Sequence, residues 1–199
     1  NSCNEISETV MKILPNKIDL LIGILVNTDY APSVMATTFI QKVLKEAGFK
    51  TITLSLDDVI ENKINCSTIF NVYYGDIGDG GIISGILEHN KVSFIGNNQY
   101  SCSLMLNKIV SKIIFKKCNY LTPSSWYQPN AIKTEQELVR EIEDVLRYPL
   151  LAKPMNGAAS ENICLIDESK QLQDFISKNR LFIDSGYYFF EQFIMGREL

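Results

Sequence analysis

The sequence predicts an α/β chain, an open parallel sheet with helices on both faces followed by a second unit of α+β character. Three observations carry this. Residues 20–26 form a near-continuous apolar run, the pattern of a parallel strand covered on both faces. Short runs of this kind then alternate with helix-period segments as far as about residue 98. Beyond that point the pattern changes to helix, hairpin, helix and strand.

In order, residues 1–19 read as an N-terminal arm and 20–26 as the first strand. From Ser33, residues Phe39, Ile40, Val43, Leu44 and Ala47 recur at helical spacing, and Gly48 stands where a helix ends before a strand at 51–54. A third strand over 68–74 runs into a glycine-rich turn at 75–81, a helix over 82–88 and a short strand over 92–95. In such sheets ligands bind beyond the carboxyl ends of the strands, so the turns after Val26, Tyr74 and Ile95 are the places to inspect. A single long helix is expected over about 101–117, with residues 121–127 a linker becoming a strand. Thr134 and Glu137 form a capping-box pattern that opens a helix to about 147. Residues 148–153 and 162–166 read as a hairpin around a tight loop at 154–161, followed by a helix over 168–178 and a strand over 187–193.

Composition narrows the function. The 199 residues are 46% hydrophobic and 21% charged, enough for one large core or two modest ones. A net charge of -4 offers no basic stripe for nucleic acid, and no apolar run approaches the roughly 20 residues of a membrane span. Nucleic-acid and membrane partners are therefore not expected. Five widely spaced cysteines, an odd number without a CxxC pair, fit reduced thiols and a cytoplasmic protein. His89 is the only histidine, which leaves little material for a histidine triad or a zinc site. The chain lacks an initiator Met and stops at Glu198-Leu199 within an expected ordered segment, so it reads as incomplete or processed.

Three segments carry chemistry. In Tyr74-Gly75-Asp76-Ile77-Gly78-Asp79-Gly80-Gly81, continuing through Gly85 to Glu88, glycines permit a sharp turn whose amide N–H groups could face an anion. Ser101-Cys102-Ser103-Leu104-Met105-Leu106-Asn107-Lys108 and Ala152-Lys153-Pro154 each present a lysine. Phe189-Phe190-Glu191-Gln192-Phe193-Ile194-Met195-Gly196-Arg197-Glu198-Leu199 forms the third. Taken singly, these read as a plain glycine-rich turn, solvated lysines and an ordinary edge strand.

In order and spacing, together with Phe94-Ile95-Gly96-Asn97, these segments resemble the D-alanine–D-alanine ligase family of the ATP-grasp superfamily, whose patterns are HGxxGEDGxxQGxLE, YTGS, ASxLxMDK, VKP and xxIExxIxGxEL. The resemblance covers residues 20–199. It implies a pre-ATP-grasp domain over 20–98 and a first ATP-grasp subdomain over 99–199, incomplete at its C-terminal end, with a third domain absent. It implies ATP binding by Lys108, Lys153, Ser160, Glu191, Gln192, Phe193, Ile194 and Glu198, with the strand's backbone on the adenine edge and Glu198 on the ribose. Asp29 and Ser160 are the implied catalytic residues, and Tyr74 and Asp79 the implied substrate contacts. Asp29 also reads as a simple turn aspartate.

The implied reaction is an ATP-dependent carboxylate–amine ligation through an acyl phosphate, in peptidoglycan biosynthesis. Its substrates are small amino acids, and a homodimer is open as the assembly. Mg²⁺ is implied, its ligands lying outside the chain, so no metal ligand is assigned. Residues 1–199 alone are not expected to turn over.

Departures from the patterns leave two alternatives, an inactive ATP-grasp relative acting as a nucleotide- or partner-binding module, and a ligase with other substrates. The family's phosphate loop, GSSxG, is here Ala158-Ala159-Ser160-Glu161-Asn162. Its histidine is Tyr74, and its Glu-Asp pair is Asp79-Gly80. The glycine-rich turn after the first strand is shortened to residues 27–33.

Overall fold

The computed structural model describes residues 20–128, 133–157 and 159–197, which form two compact units divided between Ser103 and Leu104. The expectations for the N-terminal arm, for Ala158 and for Glu198 lie outside the described residues.

In the first unit, strands β1 (Leu21–Val26), β2 (Lys50–Leu54), β3 (Thr68–Val72) and β4 (Phe94–Ile95) form a parallel sheet in the order β2-β1-β3-β4. Chain continuity from β1 to β2 on one side and on to β3 on the other makes the carboxyl ends of β1 and β3 the switch point of the sheet. Helix α1 (Ala31–Glu46) does not bury the face its apolar spacing suggests. Ser33 and Thr37 are buried, whereas Phe39 is 65% exposed. The rotation follows from Ser33, whose hydroxyl donates to the Val72 carbonyl and accepts from the Asn27 N–H, fixing the first turn of α1 to the ends of β1 and β3. A short helix that the apolar pattern does not signal, α2 (Leu56–Ile60), is opened by a Ser55/Asp58 capping box.

The glycine-rich segment differs from expectation. It is a one-turn helix, α3 (Asp76–Asp79), followed by α4 (Ile82–His89). The N–H groups of Gly75, Gly80 and Gly81 are taken up by the Asp79 carboxylate, the Asp76 carbonyl and the Gly78 carbonyl, so they do not face an anion. Glycine is needed here for close approach. A Cβ on Gly78 would lie 1.4 Å from the Tyr73 carbonyl oxygen, and one on Gly81, at φ +87°, would lie 2.7 Å from the Gln99 carbonyl oxygen.

The single long helix is also corrected. It is two helices, α5 (Gln99–Leu106) and α6 (Lys108–Lys117), broken at Asn107. Asn107 is extended, with φ -78° and ψ 109°, and its side-chain oxygen accepts from the N–H groups of Ile109 and Val110. An asparagine that caps a new helix start outcompetes continuation of the old one.

In the second unit, β5 (Ser125–Trp126), helix α7 (Glu135–Val145), β6 (Leu150–Pro154), β7 (Cys164–Ile166), α8 (Ser169–Lys178), α9 (Arg180–Asp184) and β8 (Tyr188–Gln192) complete the chain. The strands form an antiparallel sheet in the order β5-β8-β6-β7. The capping box at Thr134 and Glu137 is present, as is the β6–β7 hairpin. One face of the sheet packs Leu150, Ala152 and Phe190 with Leu138 and Ile142 of α7 and Leu172 and Ile176 of α8. Trp126 joins this core, and His89 is the last residue of α4.

Candidate functional site

Alternation along β6 and β8 puts Leu150, Ala152 and Phe190 into the core and turns Lys153 and Glu191 to the other face. Register pairs Lys153 with Phe189 and Leu151 with Glu191, so the two charged residues are diagonal neighbours within reach of long side chains. Lys153 Nζ lies 2.6 Å from Glu191 Oε2. Glu191 is 8% exposed, and its other oxygen, Oε1, accepts from Lys112, itself 7% exposed. The carboxylate thus bridges two ammonium groups.

Lys108 comes from the same helix as Lys112, one turn earlier, and so shares its face. Its backbone N–H donates to the Met155 carbonyl, and its Nζ donates to the Gly157 carbonyl at 2.8 Å. Burial lowers the Lys108 ammonium below the ordinary lysine value; the Lys153 charge adds to that and Glu191 opposes it. These interactions bring Lys108 and Lys153 to one cleft of about 240 Å³, which Gly157, Ser160 and Glu161 also border.

The loop that borders it is conformationally unusual. Ala159, Ser160 and Asn162 all have positive φ, 54°, 57° and 56°. Asn162 stands where the related pattern has glycine, and asparagine is among the few side chains that visit this region readily. Ala159 has no such tolerance, and its conformation costs about 1 kcal/mol.

Strand β8 stops at Gln192, so Phe193 and Ile194 lie beyond it. The Phe193 N–H donates to the Pro149 carbonyl, and the Gln192 N–H to Ser124. The Gln192 amide side chain holds the backbone of Arg147 and Pro149. Ile194 is 63% exposed. In the first unit, Asp29 borders a separate cleft of about 430 Å³ with Thr53, Asp57, Asp58 and Tyr73. Asn27 Nδ2 donates to the Tyr74 carbonyl at 3.1 Å, and the Asp79 carboxylate closes the turn on Gly75. Among the described residues no cluster of three or more His, Cys, Asp or Glu is placed to hold a metal ion. No described helix is long and apolar enough to cross a membrane.

Sequence reasoning missed Lys112. Its position four residues after Lys108, next to Ile109 and Ser111 on a buried face, was the available signal.

Comparison with known proteins meets this geometry. The chain is 30% identical over 166 residues to a D-alanine–D-alanine ligase of Pelagibacter ubique, covering 80% of this chain and 52% of that protein. A ligase of the same name from Zymomonas mobilis is 28% identical over 174 residues, 84% of this chain and 51% of that one. The chain is related to the D-alanine–D-alanine ligases. It spans about half the length of the curated D-alanine–D-alanine ligases it matches. No protein-family model matches it.

The fold agrees. A crystal structure of a D-alanine–D-alanine ligase from Bacillus anthracis superposes with a TM-score of 0.70 at 18% identity, over 89% of this chain and 58% of that one. The D-alanyl-alanine synthetase A of Vibrio cholerae superposes with a TM-score of 0.73 at 14% identity, over 92% and 61%. The structure thus has the α/β architecture of the D-alanine–D-alanine ligases, with one parallel and one antiparallel sheet.

Proposed function

We propose that this chain is the nucleotide-gripping portion of an ATP-dependent D-alanine–D-alanine ligase. The observation that carries the reading is the convergence of Lys108 and Lys153 on one cleft under the loop of Gly157 and Ser160. Two ammonium groups from different elements make a polyanion site, and each offsets phosphate charge as a phosphoryl group moves. The Bacillus anthracis ligase has also been crystallised with ATP, which supports nucleotide use by this fold.

In the proposed reaction the γ-phosphoryl group of ATP passes to the carboxylate of one D-alanine, giving ADP and an acyl phosphate. The amine of a second D-alanine attacks that carbonyl, and inorganic phosphate leaves as the amide bond forms. The part of this chain is binding and orientation. Lys108 and Lys153 hold phosphate oxygens, Ser160 offers the hydroxyl of the phosphate loop, and the exposed backbone at Ile194, beyond β8, faces the base. Glu198 serves the ribose. In the first unit the amino-acid substrate is assigned to Asp29, Tyr74 and Asp79, which follow the carboxyl ends of β1 and β3 in the chain. Among the described residues no cluster of three or more His, Cys, Asp or Glu could hold Mg²⁺.

The test is twofold. The 199-residue chain should bind ATP without releasing phosphate from it, and a full-length protein should release phosphate only when D-alanine is added. Release driven by a different amino acid moves the protein to a ligase of other substrate, such as the D-Ala:D-Ser ligase of Enterococcus faecalis, which shares this fold at a TM-score of 0.69. Absence of ATP binding by both proteins refutes the nucleotide reading.

A further inference from the structure

The Lys112–Glu191–Lys153 chain contains one lysine that the cleft does not need for contact. Lys153 lines the cleft, and its side chain keeps 21% exposure. Lys112 does not line it, and its side chain keeps 9%. Both are bound to the same carboxylate, one to each oxygen. In this arrangement the Lys153 ammonium is drawn toward Glu191, while the cleft that Lys153 borders lies beside Lys108 and the Gly157 carbonyl. A phosphate oxygen entering the cleft competes with Glu191 for Lys153.

We propose that Lys112 is a positioning residue that holds the Glu191 carboxylate, so that the Lys153 ammonium can leave Glu191 for a phosphate oxygen. The inference rests on the nucleotide reading above and adds to it the residue that makes the grip transferable. A buried carboxylate deprived of its last partner is strongly destabilised, so Glu191 with Lys153 as sole partner would retain it. With Lys112 on Oε1, the carboxylate keeps a charge-assisted hydrogen bond after Lys153 departs. Because Lys112 arises one turn from Lys108, the same helix supplies one direct phosphate ligand and the counter-charge for the partner of the other.

The experiment measures the affinity of the whole chain for ATP and for adenosine by calorimetry, without added divalent metal, in wild type, Lys112→Met, Lys112→Arg and Lys112→Met/Glu191→Gln. Adenosine lacks phosphates and reports the base and ribose contacts alone. Under the proposal Lys112→Met weakens ATP roughly tenfold or more, the size of one charge-assisted hydrogen bond, and leaves adenosine within about twofold. Lys112→Arg restores ATP binding. The double variant regains most of the phosphate-dependent affinity, because a neutral amide no longer retains Lys153.

ATP and adenosine weakening in parallel makes Lys112 a packing residue only and overturns the proposal, as does unchanged ATP affinity in Lys112→Met. Should that variant not fold, Lys112→Gln takes its place with the same expectations. Wild type binding neither ligand removes the nucleotide reading and the inference with it. Wild type binding ATP with an unchanged ATP-to-adenosine ratio in the variants removes the inference alone.

Discussion

Replacing Glu191 with methionine isolates the energetics of the buried charge bridge. Methionine matches the length of glutamate, so the change removes charge with little loss of volume. The carboxylate is 8% exposed and holds Lys112, 7% exposed, and Lys153, whose side chain is 21% exposed. Its removal leaves one ammonium buried without its counter-ion and a second beside it, with Lys108 close enough to be perturbed by both the Lys153 and Glu191 charges. Breaking a buried pair in this way costs about 3–5 kcal/mol. Lys153 can turn into the cleft and recover some hydration, which puts the expectation near 3 kcal/mol, or a fall in Tm of roughly 12 °C or more for a unit of this size. The assay is built in. Trp126, the only tryptophan, sits in the core of the second unit, so its fluorescence in a denaturant titration reports that unit. The double variant Lys112→Met/Glu191→Met replaces the buried pair by apolar side chains and should recover about 2 kcal/mol or more of the loss. A loss below about 1 kcal/mol in the single variant, or a double variant less stable than the single one, refutes the account of Glu191 as the counter-ion of a buried lysine.

Three further outcomes follow from the geometry. Gly78→Ala should cost about 3 kcal/mol or more, read by denaturation of the first unit, because the added Cβ meets the Tyr73 carbonyl oxygen at 1.4 Å and backbone must move. Ala159→Gly should stabilise by about 1 kcal/mol by removing the Cβ from a left-handed position, and a lower denaturation midpoint would contradict it. Tyr148 has its phenol pushed up to about 12 by burial and by its 2.7 Å hydrogen bond to Glu143. A raised value favours the neutral form in the folded state, so this contribution is present below pH 10.0 and is lost as pH rises from there to about 12. Tyr148→Phe should flatten that decline in a pH series of unfolding midpoints.

Local signals in the sequence translated into structure most directly. The Thr134/Glu137 capping box joins residues three positions apart and the β6–β7 hairpin pairs consecutive strands, and both stand where the pattern put them. The approach of Lys108 and Lys153, 45 positions apart, was legible only through resemblance to related motifs, since neither lysine alone differs from a surface lysine. What stayed hidden was decided by side chains competing with regular structure. Asn107 reads as one more polar position in a helical run until its oxygen is seen to cap a second helix. Ser33 overrode the apolar face of α1 through hydrogen bonds with Asn27, just after β1, and with Val72 at the end of the distant strand β3. The glycine-rich turn has the composition of an anion cradle, yet Asp79 satisfies its first N–H from within. Lys112 was missed because its partner is 79 positions away and belongs to a motif read for a different purpose.

The break at Asn107 turns helix α6 into a ruler whose zero mark is fixed. Asn107 sets where the first turn begins, the Lys108 amide clamps that mark to Met155, and the four-residue interval then delivers Lys112 onto Glu191. Each residue advances a helix by about 100°, so one inserted or deleted position between 108 and 112 swings the second lysine off the sheet while leaving the first in place. Drift in sequence is therefore tolerated along this segment far more readily than drift in length.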